Sequence, residues 1–180
     1  MGSAFEDLFN PRAGEAFVDE AQVWVHDEAW WLWVAYDIYN KAIQCLEVSA
    51  MRCGLTAYWF LRRLRVENGV RRVYTDGGPW YPWAASQARL GHVVVSLEEC
   101  NPWQRVIETI KDRLEAFDVH FPCRCRGKRH IKNFLSLYRA YYNHVRQHVT
   151  IGGPPIPTGG ETEWLRFQNL IKEAMPDALK

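Results

Sequence analysis

Apolar and polar positions change rhythm along this chain, and the changes mark its elements. Phe17 to Val25 (FVDEAQVWV) is rich in Val, Phe and Trp and predicts a strand. His26-Asp27-Glu28-Ala29 predicts a hairpin loop, and Trp30 to Tyr36 the returning strand, closed by Asp37. Ile38-Tyr39-Asn40-Lys41 predicts a second turn and Ala42 to Ala50 a third strand, giving an antiparallel meander. The period then becomes helical. Ala57, Phe60, Leu61 and Leu64 form one apolar stripe, with Arg62, Arg63 and Arg65 outside it. This predicts a helix over Leu55–Glu67, ended by Asn68-Gly69. Val70 to Thr75 predicts a short parallel-type strand leading into Asp76. Trp80 to Leu90 predicts a short helix interrupted by Pro82, and His92 to Ser96 a fifth strand.

The second half is helical. Trp103, Ile107, Ile110, Leu114 and Phe117 recur at helical spacing, so Pro102–Phe117 predicts a helix. Asn101 suits its N-cap and Pro102 its first turn. Gln104, Glu108 and Lys111 share another face of that helix. A last long helix is predicted over Arg129–His148, with Ile131, Leu135, Tyr138, Tyr142 and Val145 inside. The predicted organisation is a flexible lead-in over 1–13, one domain over 14–150, a Pro/Gly linker over 151–160 (IGGPPIPTGG) and a C-terminal helix within 161–180. A meander, a helix, a parallel-type strand, a helix, a strand and two long helices form an α/β order. It fits the ribonuclease-H-like fold: a five-stranded mixed sheet with helices on both faces.

Composition agrees with a globular domain. The 180 residues are 48% apolar and 14% aromatic, enough for a sizeable core. No apolar run reaches membrane-spanning length, and no signal-peptide pattern is present, so a cytoplasmic, nucleoid-associated protein is expected. Five cysteines without secretory context argue against a disulfide framework. Cys123-Arg-Cys125 lacks the spacing of a zinc pair, and no second pair follows. Net charge is only +1, but its distribution is uneven. From Val119 to Gly160 there is no Asp or Glu, while Arg124, Arg126, Lys128, Arg129, Lys132, Arg139 and Arg146 accumulate. A basic half beside a carboxylate-bearing half suits contact with a nucleic-acid backbone.

The candidate chemistry lies in two acidic strand ends. Asp19 stands in FVDEAQV, and Asp76 precedes Gly77-Gly78-Pro79. Rigid strands would hold both carboxylates, and such a pair suits a divalent metal for phosphoryl transfer. A plain strand-end Asp19 and a turn-starting Asp76 are the bland alternatives; Asp-Gly is a common turn pair.

The motifs VDEAQV, LWVAYD, TDGGPWYPWA, NPWQRVIETIKDR and YYNHVRQH together resemble the catalytic domain of insertion-sequence transposases of the DDE type. The resemblance is to archaeal members, within the retroviral-integrase and ribonuclease-H-like superfamily, and covers about Ala16 to His148. It implies metal-dependent DNA cleavage and strand transfer, with Mg²⁺ or Mn²⁺ held by Asp19, Asp76 and a helix glutamate. It also implies double-stranded DNA as partner, a homodimer as the working unit, and no membrane. Lys111, Arg113, Arg124, Arg126, Lys128, Arg129 and Lys132 are the expected DNA-backbone contacts.

The chain departs from the family pattern at the third acid. In register, Gln104 occupies the glutamate position, and Glu108 lies one helical turn later as a possible substitute. An amide keeps a ligand oxygen but carries no charge, so weakened metal binding is expected. No helix-turn-helix segment for end recognition is expected ahead of the first strand. Two readings therefore stand. One is a truncated and weakened transposase catalytic domain. The other is a catalytically inactive or domesticated DNA-binding or assembly protein on the same fold.

Overall fold

The computed structural model describes residues 14–25, 28–37, 39–95, 128–157 and 163–174. The elements run β1 (Glu15–Val25), β2 (Glu28–Tyr36), β3 (Ile43–Ser49), α1 (Gly54–Asn68), β4 (Arg72–Thr75), α2 (Tyr81–Ala88), β5 (Gly91–Val94), α3 (Lys128–His144) and α4 (Glu163–Ala174). The five strands form one sheet in the order β3-β2-β1-β4-β5. β1, β2 and β3 are antiparallel neighbours, whereas β4 runs parallel to both β1 and β5. This is the predicted mixed sheet of a ribonuclease-H-like α/β fold.

Alternation along the strands sorts two cores onto two faces. Ala16 and Val18 of β1 join Trp33, Ala35 and Cys45 beneath α1 and α2. Ala21, Val23 and Val25 join Leu32, Val34 and Ile43 beneath Ile131, Leu135 and Tyr142 of α3. The apolar stripe of α1 is the predicted one: Ala57, Phe60, Leu61 and Leu64 are buried. Gly69, at φ 72°, caps that helix in the left-handed region and donates its N–H to Leu64 O.

Several boundaries differ from the sequence reading. Glu28 and Ala29 are not loop residues; they open β2, pairing with Val25 and Trp24. Polar character suggested a loop there, but the exposed end of a hairpin accepts polar residues. Pro82 does not interrupt α2, because it sits in the first turn, where its missing N–H has no intrahelical partner to lose. The long helix α3 ends at His144 rather than His148. Val145 and Arg146 both donate N–H to Tyr141 O, and His148 pairs with Gly153 in an isolated bridge. The predicted helix over 102–117 lies outside the described residues.

The outer edge of β3 is closed by side chains. Asn143, fully buried, accepts from Ile43 N–H and donates to Ile43 O, both at 2.8 Å. Arg139 and Asn68 donate to Gln44 O at 2.9 and 3.2 Å. Further along, the Glu47 carboxylate lies 3.9 Å from Arg63 and 3.7 Å from Lys132, tying α1 and α3 across the edge. These contacts occupy groups that an open edge would offer to another chain. Asp37, also fully buried, accepts from the Tyr39 and Asn40 N–H groups and from Asn40 Nδ2. It organises the β2–β3 turn.

Replacing Asn143 with Ala leaves two buried backbone groups of Ile43 without partners. Each such group costs about 1–3 kcal/mol. A loss of roughly 2–5 kcal/mol in urea-unfolding free energy is expected. A second prediction concerns His144, which is buried at the end of α3; burial, with Arg139 nearby, lowers its pKa from 6.5 to about 4. The unfolded chain therefore binds the extra proton between those two values. This contribution to stability is present above the unfolded pKa and is lost as pH falls from about 6.5 through about 4. It is on the order of 3 kcal/mol. Unfolding free energies measured across that range should fall more steeply in the wild type than in His144→Gln.

Candidate active site

The site begins with a mismatch of strand lengths. β1 pairs with β2 from Phe17 to Val25, but with β4 only through Glu15, Ala16 and Phe17, opposite Arg72, Val73 and Tyr74. Extending that parallel register by two residues sets Asp19 level with Asp76. β4 has ended at Thr75, and the chain turns away at Gly77. The carboxyl end of β4 therefore lies beside the middle of β1. Carboxyl ends of parallel strands, next to a change in strand order, are where open α/β sheets take ligands.

The turn after β4 is shaped by its glycines. Gly77 has φ 89°, and a Cβ there would lie 2.9 Å from Val94 Cγ1. A Cβ on Gly78 would meet the Trp80 indole at 2.7 Å. Asp76 is exposed, and its Oδ1 accepts the Gly78 N–H at 3.0 Å. The Thr75 hydroxyl accepts from Gly77 N–H at 3.2 Å and hydrogen-bonds His92 Nε2 at 2.8 Å. Burial lowers the His92 pKa. Asp19 is half-buried, and its Oδ1 accepts the Glu20 N–H at 2.8 Å.

The next residue of β1 carries a third carboxylate. Glu20 follows Asp19 and so turns to the opposite face, the side of Ala16 and Val18. There it accepts a short hydrogen bond from the Tyr81 hydroxyl. Its other oxygen lies 3.5 Å from Arg52. Burial pushes the Glu20 pKa up to about 7, with Asp19 and Asp76 adding to the rise; the Tyr81 hydrogen bond and Arg52 oppose it. Tyr81 is raised well above its usual range by burial and by Glu20, with Asp19 and Asp76 contributing. The signal for Glu20 was in the alternation: an acid on a strand face otherwise set by Ala16 and Val18 cannot be a surface residue. Its partners Tyr81 and Arg52 come from separate segments and carry no such mark.

Around this centre stand aromatic side chains. Tyr81 is fully buried and packs edge-on against Trp33 at 6.2 Å. Trp83, by contrast, is exposed and lies 6.1 Å from Tyr58. Among the described residues, no group of three or more His, Cys, Asp or Glu side chains is placed to hold a metal ion. Gln104, Glu108, Lys111, Arg113, Arg124 and Arg126 lie outside the described residues. Lys128 and Arg129 open α3, and nothing further is described of their side chains. Lys132, half-exposed, lies against Glu47 on the β3 edge. No described helix is long and apolar enough to cross a membrane.

No protein-family model matches the chain. It is 26% identical over 130 residues to the uncharacterized protein MJ0017 of Methanocaldococcus jannaschii, an alignment covering 72% of this chain and 60% of that protein. A chain of the simian T-cell lymphotropic virus intasome, in complex with PP2A regulatory subunit B56 gamma, aligns with a TM-score of 0.58 at 13% identity. That alignment covers 88% of this chain and 57% of the viral one. The catalytic core domain of BIV integrase aligns with a TM-score of 0.57 at 15% identity, over 79% of this chain and 90% of the core. The chain thus spans well under two thirds of the curated relative and of the intasome chain. At these identities the likeness establishes the fold alone, a five-stranded mixed sheet flanked by helices of ribonuclease-H-like architecture.

Proposed function

We propose that the chain is a DDE-type transposase catalytic domain, acting in metal-dependent DNA cleavage and strand transfer, and weakened by Gln104. The observation that supports this reading is the β1–β4 register, Glu15–Phe17 opposite Arg72–Tyr74, which carried on by two residues would bring Asp19 level with Asp76. Carboxylate oxygens are the donors that Mg²⁺ and Mn²⁺ prefer. Asp19 and Asp76 would hold the ion, with the third ligand supplied from the segment around Gln104. A bound ion supplies Lewis-acid chemistry for hydrolysis of a phosphodiester and for attack by the freed 3′-hydroxyl. The rigid strand β1 and the Gly77-Gly78 turn hold the two carboxylates in place. The acid-free stretch from Val119 to Gly160 would grip the double-stranded DNA backbone, with Lys111 and Arg113 beside it. The working unit in this reading is a homodimer in the nucleoid.

Gln104 favours a second reading, an inactive or domesticated DNA-binding or assembly protein. Replacing a carboxylate by an amide removes one charge from a metal clamp, an effect worth several kcal/mol. A rate loss of about 10²-fold or more follows. The two readings separate in a nicking assay on labelled duplex with Mn²⁺. Gln104→Glu should raise cleavage by about 10²-fold, Asp19→Asn and Asp76→Asn should abolish it, and Glu108→Ala should do little. Efficient cutting by the wild type that Glu108→Ala destroys would make Glu108 the third ligand. No cutting by any variant would favour the binding protein.

Both readings require DNA binding. Affinity for duplex should be largely independent of sequence and fall with salt, each phosphate contact contributing about −0.9 to the log–log slope. Fluorescence anisotropy over a salt series measures this. A flat response would sink the nucleic-acid reading.

A further inference from the structure

The ladder between β1 and β4 stops at Phe17 and Tyr74, before either aspartate is reached. Something else has to fix the distance between them. A second tie exists on the opposite face of the sheet. Asp19 is bonded to Glu20, whose carboxylate accepts from the Tyr81 hydroxyl. The Tyr81 N–H donates to Gly78 O at 3.0 Å, and the Gly78 N–H donates to Asp76 Oδ1 at 3.0 Å. The path from one aspartate to the other is therefore closed through Glu20, Tyr81 and Gly78.

Each member of this path is itself immobilised. Tyr81 is fully buried at the start of α2 and packs on Trp33. Glu20 is held on its other oxygen by Arg52 at 3.5 Å. The Arg52 guanidinium lies between two indoles, 3.8 Å from the Trp31 ring centre and 4.4 Å from that of Trp80. Such stacking suits a planar guanidinium and fixes its direction. We propose that Glu20, Tyr81 and Arg52 form a crossbar that sets the separation of the Asp19 and Asp76 carboxylates, acting as positioning residues for a divalent cation. The inference rests on the metal-site reading above. Side chains that orient metal ligands in this way control affinity without touching the ion.

Calorimetric titration of Mn²⁺ into the full chain tests it, below the melting temperature of every variant. Tyr81→Phe and Glu20→Ala should weaken Mn²⁺ binding by about 10–100-fold while circular dichroism shows a folded protein. Glu20→Gln keeps an oxygen that can accept from Tyr81, so its loss should be less than about tenfold. Arg52→Met, on the outer side of the crossbar, should weaken binding by a smaller factor than Tyr81→Phe. It supplies the test if the buried variants do not fold. Unchanged affinity in the folded variants overturns the crossbar. A Glu20→Gln loss equal to that of Asp19→Asn also overturns it, because Glu20 would then hold the ion itself. If the wild type shows no Mn²⁺ binding that Asp19→Asn removes, the metal reading fails, and the crossbar falls with it.

Discussion

The pairing of β1 with strands of opposite direction on its two sides is the constraint on which the rest depends. On one side it runs antiparallel to β2 for nearly its whole length; on the other it runs parallel to β4 for three residues only. Antiparallel partners can be joined by a tight turn, but parallel ones need a crossover. The meander and the helix-linked half of the sheet therefore meet at β1. Because β4 is short, β1 continues past the end of its ladder with β4. Polar groups can stand there without being sealed into the sheet.

Alternation then divides the acids of β1 between two environments. Asp19 takes the face opposite Glu20 and remains half-exposed. Glu20 faces the α1–α2 core, where burial disfavours its charge and the Tyr81 hydroxyl and Arg52 offset the cost. A buried carboxylate without such partners would be strongly destabilising. The site thus has an open face and a packed face, separated by the thickness of one strand. Its packed face is tied into the aromatic core through Tyr81, Trp33 and Phe60.

The far edge of the sheet obeys a different need. Among the described residues no strand lies beyond β3, and Asn143, Arg139 and Asn68 reach across to satisfy its first backbone groups. Those side chains come from α1 and α3, on opposite faces of the sheet. One set of contacts closes the edge and fastens both helix layers to the sheet.

Much of this was legible in the residues. The switch from strand-like to helical periodicity located the meander, α1 and α3, because each period reflects which face must leave water. The α1 stripe of Ala57, Phe60, Leu61 and Leu64 and the Asn68-Gly69 stop could be read directly, since they depend on local geometry and one-sided burial. Asp76 stood out as an acid at a strand end beside glycines, whereas Asp19, also read as a strand-end acid, lies inside β1 because that strand begins at Glu15. Boundaries were less legible: Glu28, Pro82 and the end of α3 depend on which backbone groups find partners, and periodicity is silent on that. Only the tertiary structure decided that the parallel strand β4 lies beside β1, with Glu15–Phe17 opposite Arg72–Tyr74. It alone brought Arg52, Trp31, Trp80 and Tyr81 around Glu20, and Asn143 onto Ile43. The reason is physical. Periodicity records a residue's exposure to its own side of an element, whereas register and cross-element hydrogen bonds depend on how separate elements dock.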